Sequence, residues 1–477
     1  MARQVAVVGN PKSSHSARWA LASLSICMLL SSLGASIANV ALPTLARTFE
    51  APFQQVQWVV LAYLLGVTAL IVSVGRLGDI VGRRRLLLAG LAVFTAATVA
   101  CGLAPSLPLL IAARAAQGLG AAVMMALTVA FVGEAVPKDR TGAAMGLLGT
   151  MSATGTALGP SLGGLLIATL GWRAIFLVSA LVGVLALCLA HRFLPADRPE
   201  RKRGGFDAIG TLLLALTLAA YALAMTLGRG AFGPLNMALL AAALVGAGLF
   251  GIAQTKVASP LIPLAMFRDP GLGAGLASSL LVSTVMMATL VVGPFYLSRA
   301  LALSPAMVGL AMSIGPLVAA LTGMPAGRLV DRFSARRMTA SGLVGMTIGV
   351  LVLAVMPTAA GIAGYVGPIA VITAGYALFQ AANNTAVMAD IGPERRGVIS
   401  GMLNLSRNLG LITGASAMGA VFAWSSGAVD IATAGPEAVA HGLRITFAVA
   451  AALIALAIAI VVRVSPSTSG GVRQLGL

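Results

Sequence analysis

Charge is scarce in this sequence. Asp, Glu, Lys and Arg make up 9% of its 477 residues, against about 25% in a soluble globular chain, so there is too little polar side chain to cover a water-soluble domain. Cysteine and histidine are scarce too, at 3 residues each. Cys27, Cys101 and Cys188 all fall inside apolar runs and lack the spacing of a disulfide framework or a metal site, which leaves them as packing residues. No H-E-x-x-H, phosphate-binding loop or metal cluster is found, so the chain reads as a non-enzyme with no cofactor and no metal. Gly159-Pro-Ser-Leu-Gly163 matches the hydrolase pattern G-x-S-x-G. No strand precedes it and no histidine is placed to serve Ser161, so that match is accidental.

What the chain has in abundance is apolar residues, 59% of the total. Runs of ~20 residues, long enough to cross ~30 Å of hydrocarbon as helix, recur from end to end. They define about fourteen spans, at 19–42, 57–76, 86–104, 107–134, 142–169, 172–194, 207–228, 233–254, 272–296, 305–326, 337–356, 360–389, 397–424 and 440–463. The fold class is an all-α polytopic membrane protein. Arg3, Lys12 and Arg18 precede the first run as in a secretory leader. The run is too long for one, and no cleavage site leads into a soluble domain, so it is read as the first span.

A formal charge of +18 would suit a nucleic-acid binder, but such proteins gather basic residues on a soluble face, and none exists here. Topology accounts for the charge instead. With the N-terminus in the cytoplasm, only Arg47, Arg173, Arg229 and Arg299 fall on the outer side and Arg114, Arg407 and Arg444 within spans, leaving 24 of the 31 basic residues on the cytoplasmic side. This is the positive-inside pattern. It places the chain as a multi-pass protein of a bacterial-type plasma membrane with both termini cytoplasmic.

The charged stretch Pro195 to Asp207 separates the first six spans from the rest, and Ser259 to Gly271 precedes the last six. The expected organisation is a six-helix bundle at 1–194, a linker with two extra transmembrane helices at 195–270, and a second six-helix bundle with a tail at 271–477. The halves repeat weakly. Gly75-Arg-Leu-Gly-Asp79 followed by Arg84 and Arg85 returns as Gly327-Arg-Leu-Val-Asp331 followed by Arg336 and Arg337, and Glu134-Ala-Val-Pro137 with Arg140 is echoed by Asp390-Ile-Gly-Pro393 with Arg396. Internal repeats of this kind are typical of secondary transporters.

In the first of these motifs, Gly75 and Gly78 allow close helix contact, Gly82 permits a tight turn, and Asp79 near a helix end can pair with an arginine. Glu134 is a second partner for Arg83, Arg84 or their neighbours. Such a network could latch one conformation, with Asp331, Arg336 and Asp390 as its counterpart in the second half. The plainer reading is that the arginines only enforce topology, but topology requires neither paired glycines nor a matching acid. In the fifth span, Gly155, Gly159 and Gly163 recur every four residues and share a helical face, and Pro160 favours a bend. Tight packing alone would explain that stripe.

These residues resemble a family. Gly75 through Arg85 resembles the signature loop of the major facilitator superfamily, and Arg114-Ala-Ala-Gln-Gly-Leu-Gly120 its fourth-helix motif. Gly155 through Gly164 is similar to the fifth-helix motif of its antiporters, and the phrases NVALPTLA at Asn39 to Ala46, QWVVLAYLL at Gln57 to Leu65 and GWRAIFLV at Gly171 to Val178 are similar to its fourteen-helix drug:proton antiporter branch. The resemblance implies two six-helix bundles rocking about a midplane cavity. It also implies that the fifth-span glycine face closes against the second bundle on the outer side.

Ionisable groups inside a bilayer are functional candidates by default. Arg114 with Gln117, and Arg407 flanked by Asn404 and Asn408, are candidates for the cavity or for coupling. Asn39, Asn383, Asn384, Gln380 and Ser36 could line the same space, although a polar residue in a membrane helix is about as often an interhelical clasp. Arg444, one turn from His441, could simply snorkel to the interface. Cation-exporting relatives place an aspartate in the first span where this chain has Gly34, and no carboxylate lies deep in any span. Neutral or anionic amphiphiles suit such a cavity better. The expected function is efflux of small amphiphilic compounds in exchange for protons, with a facilitator or importer of the same fold as the alternative and a membrane enzyme or receptor less favoured. Partners are a small-molecule substrate, protons and membrane lipid, and the chain is expected to be monomeric. Arg114→Ala is expected to abolish flux with folding intact.

Overall fold

The computed structural model describes residues 11–71, 73–135, 141–195, 207–227, 233–257, 269–389, 396–427 and 434–463; the side chains of 11–17, 76, 79, 132–135, 141–146, 396–398 and 400 lie outside the description. In hydrocarbon every backbone amide must find its partner within the protein, which leaves helices as the way to cross. Thirteen helices among the described residues are long and apolar enough to do so.

The first half comprises α1 (Pro11–Thr48), the short α2 (Phe53–Val56), α3 (Trp58–Ile71), α4 (Val74–Val81), α5 (Arg83–Leu103), α6 (Leu107–Ala135), α7 (Thr141–Leu170) and α8 (Arg173–Phe193). Two helices follow, α9 (Ala208–Thr226) and α10 (Pro234–Lys256). The second half comprises α11 (Pro270–Phe295), extended by a π-helical turn at Tyr296–Ala300, then α12 (Pro305–Arg332), α13 (Ala335–Val355), α14 (Gly361–Met388), α15 (Arg396–Thr413), α16 (Gly419–Ser425) and α17 (Pro436–Arg463). The span expected at 397–424 is one helical path interrupted by a π-helical turn at Gly414–Met418. The span expected at 57–76 is divided between α3 and α4.

Caps and prolines start the helices where the sequence provides them. Asp207 accepts from the Gly210 amide at 2.7 Å, Asp269 from the Gly271 amide at 2.8 Å, and Pro270 and Pro305 occupy the first turns of α11 and α12, where a missing N–H costs nothing. Between helices, lipid tails are as apolar as leucine, so small residues that let backbones approach supply the adhesion. A Cβ added to Gly120 of α6 would meet the Gly90 carbonyl of α5 at 2.6 Å, and one added to Gly375 of α14 would meet the Gly342 carbonyl of α13 at the same distance. The third and fourth spans of each half thus cross at a glycine pair.

The third and sixth spans of each half run antiparallel, and arginines tie them at both ends. Arg84, at the start of α5, donates from Nη2 to the His191 carbonyl in the last turn of α8 at 2.5 Å; Arg173, at the start of α8, donates to the Ala104 carbonyl after α5 at 3.3 Å. In the second half Arg336 donates to the Val462 carbonyl of α17 at 3.0 Å, and Arg444 to the Met356 carbonyl after α13 at 3.2 Å. Each guanidinium meets orphan carbonyls at the negative end of a helix dipole. The sequence repeat is therefore a repeated clasp.

The extra pair α9–α10 is joined at one end by Gln254 donating to Asp207 at 2.7 Å and at the other by Asn236 donating to the Ala224 and Leu227 carbonyls, both at 2.8 Å. It is fixed to the second span by Trp58 Nε1 of α3 donating to Thr226 Oγ1 at 2.9 Å and, between α3 and α4, by the Ser73 and Thr211 hydroxyls 2.7 Å apart. On its other side α9 packs against α16 and the π-helical turn at 414–418, so it bridges the two halves.

Candidate functional site

The α4–α5 turn marks one face of the molecule, here called the basic face. Gly82 sits at φ 103°, in the left-handed region where a side chain is strained, and this permits the sharp reversal before Arg83. Close contact is found at Gly78, where a Cβ would lie 3.0 Å from Leu127, whereas among the described residues nothing lies within 4 Å of a Cβ on Gly75. The expectation that Gly75 serves close packing is thus corrected. The side chains of Asp79 and Glu134, and Asp390 entirely, lie outside the described residues. In the second half Asp331 is exposed and bonds to no described residue, while Arg336 is taken by the α17 terminus. The acid–arginine pairing expected from Asp331 and Arg336 is not formed. Both lie near a helix end, but backbone carbonyls win the guanidinium.

The glycine face of α7 also differs from expectation. Gly155, Gly159 and Gly163 all abut α1, with the Leu29 carbonyl, Ser36 and Val40 occupying the space a Cβ would need. The stripe seals α7 onto its own half. Contact with the second half runs along the neighbouring face. A Cβ on Gly164 would meet the Pro305 carbonyl at 2.6 Å, and one on Gly309 of α12 would run into the Pro160 carbonyl. On the face opposite the basic one, Phe53 stacks edge-on to Phe295 at 4.8 Å and Phe422 at 5.6 Å. The Gln57 amide presses against Gly419 and has no partner of its own among the described residues. The halves are closed together at this face.

Arg114 is wholly buried, at 0% exposure. Its Nε donates to the Val59 carbonyl at 2.8 Å, Nη2 to the Gly34 carbonyl at 3.0 Å, and Nη1 to Gln117 Oε1 at 2.5 Å, and the guanidinium lies 4.3 Å from the centre of the Tyr63 ring. Gln117 continues to Thr98 at 2.7 Å, and Tyr63 donates to the Ser31 carbonyl at 2.7 Å. Four helices of the first half, α1, α3, α5 and α6, meet in this knot. Arg114 and Gln117 therefore do not line an open cavity, which corrects the cavity assignment. At Gly34, where the family resemblance led to an aspartate, the neutral backbone carbonyl receives the guanidinium instead.

Arg407 has the opposite setting. It is half-buried on α15 and donates to Asn404 Oδ1 at 3.2 Å. Gln380 of α14, with its amide oriented to satisfy both neighbours, accepts from Arg407 Nη1 at 3.1 Å and Nη2 at 3.2 Å while donating to the Tyr376 hydroxyl. Asn404, Gln380 and Tyr376 are all uncharged amides or a hydroxyl, and each remains partly accessible. Asn384 on α14 is exposed; Asn383 is buried, donating to the Gly275 carbonyl of α11 at 3.1 Å, and is a clasp. Asn39 is buried, with its Nδ2 on the Ala35 and Ser36 carbonyls of its own helix and its Oδ1 without a partner among the described residues.

Sequence reasoning missed Tyr63 and Thr98 as partners of Arg114, and Tyr376 beside Gln380. It also missed the Gly164–Gly309 contact and the Phe53, Phe295 and Phe422 cluster. Gly164 was visible as the second glycine of a pair, but which face of α7 meets which neighbour is a tertiary property.

The profile of the Major Facilitator Superfamily matches residues 24–415 and 275–476. The riboflavin transporter RibZ of Clostridioides difficile is 31% identical over 400 residues, covering 84% of this chain and 87% of that protein. The multidrug resistance protein Stp of Mycobacterium tuberculosis is 33% identical over 402 residues, covering 83% and 74% respectively. Among solved structures, a bacterial homologue of the human lysosomal transporter Spinster superposes with a TM-score of 0.69 at 17% identity, over 95% of this chain and 97% of the other. The xylose transporter XylE of E. coli superposes at 0.65 and 14% identity, over 96% and 99%. With its helices, its repeated clasps and these matches, the chain belongs to the major facilitator superfamily and is a multi-pass membrane transporter.

Proposed function

We propose that the protein is a secondary-active exporter of small neutral or anionic amphiphiles, working by alternating access in exchange for protons. The observation that carries this reading is the accessible Arg407 with Asn404, Gln380 and Tyr376, a cationic hydrogen-bonding group in a membrane span with no carboxylate among its described partners. A guanidinium so placed attracts an anion or a polar acceptor and repels a cation. Arg407, Asn384 and Gln380 are the residues assigned to the substrate path, and the Gly164–Gly309 contact with Pro160 is assigned to the gate. The basic face is taken as cytoplasmic on the arginine asymmetry, which makes the closed face the outer one and the conformation inward-facing. Similarity to Stp and to the drug efflux pump JefA of M. tuberculosis, 31% identical over 409 residues, supports efflux.

A second reading is a facilitator without proton coupling. It is favoured by Gly34, whose carbonyl stands where a titratable acid would otherwise be. An anion leaving a cell that is negative inside gains ~2.3 kcal/mol per charge at 100 mV, so the membrane potential alone could drive its export.

Purified protein in vesicles tests both. With the anionic dye fluorescein and the cationic dye ethidium as probes, fluorescein flux is expected to rise with an imposed pH gradient and ethidium flux to stay at background. Gradient-independent fluorescein flux would favour the facilitator, and absence of flux for either dye with or without a gradient would count against export.

A further inference from the structure

A cavity of about 1160 Å³ opens sideways between α6 and α9, with α3 as its floor. It exists because α9 is tethered at both ends, through Thr226 to Trp58 of α3 and through Thr211 to Ser73 just beyond that helix, and leans on α3 instead of α6. Ala62, Ala112, Ala115, Ala215 and Ala219 keep its walls smooth. Leu119 and Leu216 on its edges are 41% and 58% exposed, so it opens toward the membrane. From Ala69 to Trp58 its floor runs along twelve residues of α3, a length of ~16 Å at helical rise. That is about half of the ~30 Å hydrocarbon core, the depth of one leaflet.

The mouth of this crevice lies on the face opposite the basic one and carries a carboxylate, with a guanidinium one turn away outside the lining. Glu50 lines it, exposed and held at φ 49°, a conformation uncommon for a residue other than glycine. One turn earlier, Arg47 is exposed, with its Nε on the Pro43 carbonyl at 3.3 Å and its terminal nitrogens bonded to no described residue. A carboxylate alone would suit a lipophilic cation. A carboxylate with a guanidinium one turn away suits a zwitterion, ammonium to Glu50 and phosphate to Arg47.

We infer that this crevice is a binding site for a zwitterionic phospholipid with an ammonium headgroup, phosphatidylethanolamine, whose acyl chain lies along α3 between α6 and α9. The bound chain completes the packing of α9, the helix that bridges the two halves, and so makes their contact sensitive to the surrounding lipid. The site is independent of the direction of transport and of proton coupling.

Trp58 on the floor reports occupancy. In full-length protein with Trp19, Trp172 and Trp424 replaced by phenylalanine, phosphatidylethanolamine with brominated acyl chains should half-quench Trp58 fluorescence at a mole fraction at least threefold below that of brominated phosphatidylglycerol. Glu50→Gln should bring the two lipids to within about a factor of 1.5, and Ala219→Phe should weaken quenching by both. Should the tryptophan replacements disturb folding, native mass spectrometry of the unaltered chain and of Glu50→Gln, counting retained molecules of each lipid, gives the same comparison. Equal affinity for the two lipids in the wild type, or a preference surviving Glu50→Gln, overturns the proposal. So does relief of quenching by dodecyltrimethylammonium at a lower mole fraction than by unbrominated phosphatidylethanolamine, which would assign the crevice to a cationic amphiphile.

Discussion

Arg114 and Arg407 are the same chemical group, each set into a membrane helix, and their surroundings differ in every respect that matters. Arg114 is enclosed by four helices and spends its donors on two backbone carbonyls and one glutamine. Arg407 shares its donors with side chains that water or a solute can also reach. Depth in a span does not separate an enclosed guanidinium from an accessible one; the packing around it and the identity of its acceptors do. Backbone carbonyls cannot move away without unwinding a helix, whereas asparagine and glutamine side chains can exchange one partner for another.

Replacing each arginine would break this contrast most directly. Arg114→Ala strips the Val59 and Gly34 carbonyls and Gln117 of a shared donor and leaves a void, a loss on the order of 3 kcal/mol or more. The expected outcome is a collapse in the monodisperse fraction after detergent extraction, in place of the intact folding expected from the sequence. Arg407→Ala should leave that fraction unchanged and lower flux in vesicles about ten- to a hundredfold, the worth of a hydrogen bond to a charged group at ~1.5–3 kcal/mol. If both variants fold and both lose flux, the distinction fails.

Two further changes sharpen it. Gly309→Ala drives a methyl into the Pro160 carbonyl and should weaken closure of the face opposite the basic one by about 1–2 kcal/mol. Arg407 would then be reachable from that side, seen as increased reactivity of an Asn408→Cys variant toward an impermeant thiol reagent. Arg84→Ala and Arg336→Ala each remove one helix-terminus clasp and should cost about 1 kcal/mol or less. Because the two clasps share no partner, their effects on thermal stability should add.

Much of the architecture was legible in the sequence because hydrocarbon imposes it: apolar runs of the right length satisfy their backbones as helices, so most spans fell within a few residues of the helices, while α1 at Pro11–Thr48 outruns the expected 19–42 at both ends. The repeat was legible too, since Arg84 and Arg336 keep their spacing. Their partners were not, because a backbone carbonyl leaves no mark on residue type, and the expectation turned to visible acids such as Asp331. The α7 glycine stripe was read correctly as a close-packing face and assigned the wrong neighbour. Sequence periodicity fixes a face on its own helix, but only the packed bundle decides that α1 takes Gly155, Gly159 and Gly163 while α12 takes Gly164. The interruption at Gly414–Met418 left no proline to announce it.

Alternating access requires the contact between α7 and α12 to open at one end as it closes at the other. Both helices carry exposed leucine or methionine at each end, with Leu170 and Met307 on the closed face and Leu147 and Leu329 toward the basic face. Spin labels on cysteines at these two pairs, with exposed Cys188 replaced by serine and Cys27 and Cys101 left buried, report the two distances by electron double resonance. On acidification or addition of fluorescein, the Leu170–Met307 distance should lengthen while the Leu147–Leu329 distance shortens. Distances that stay fixed, or that change in the same direction, would contradict alternating access.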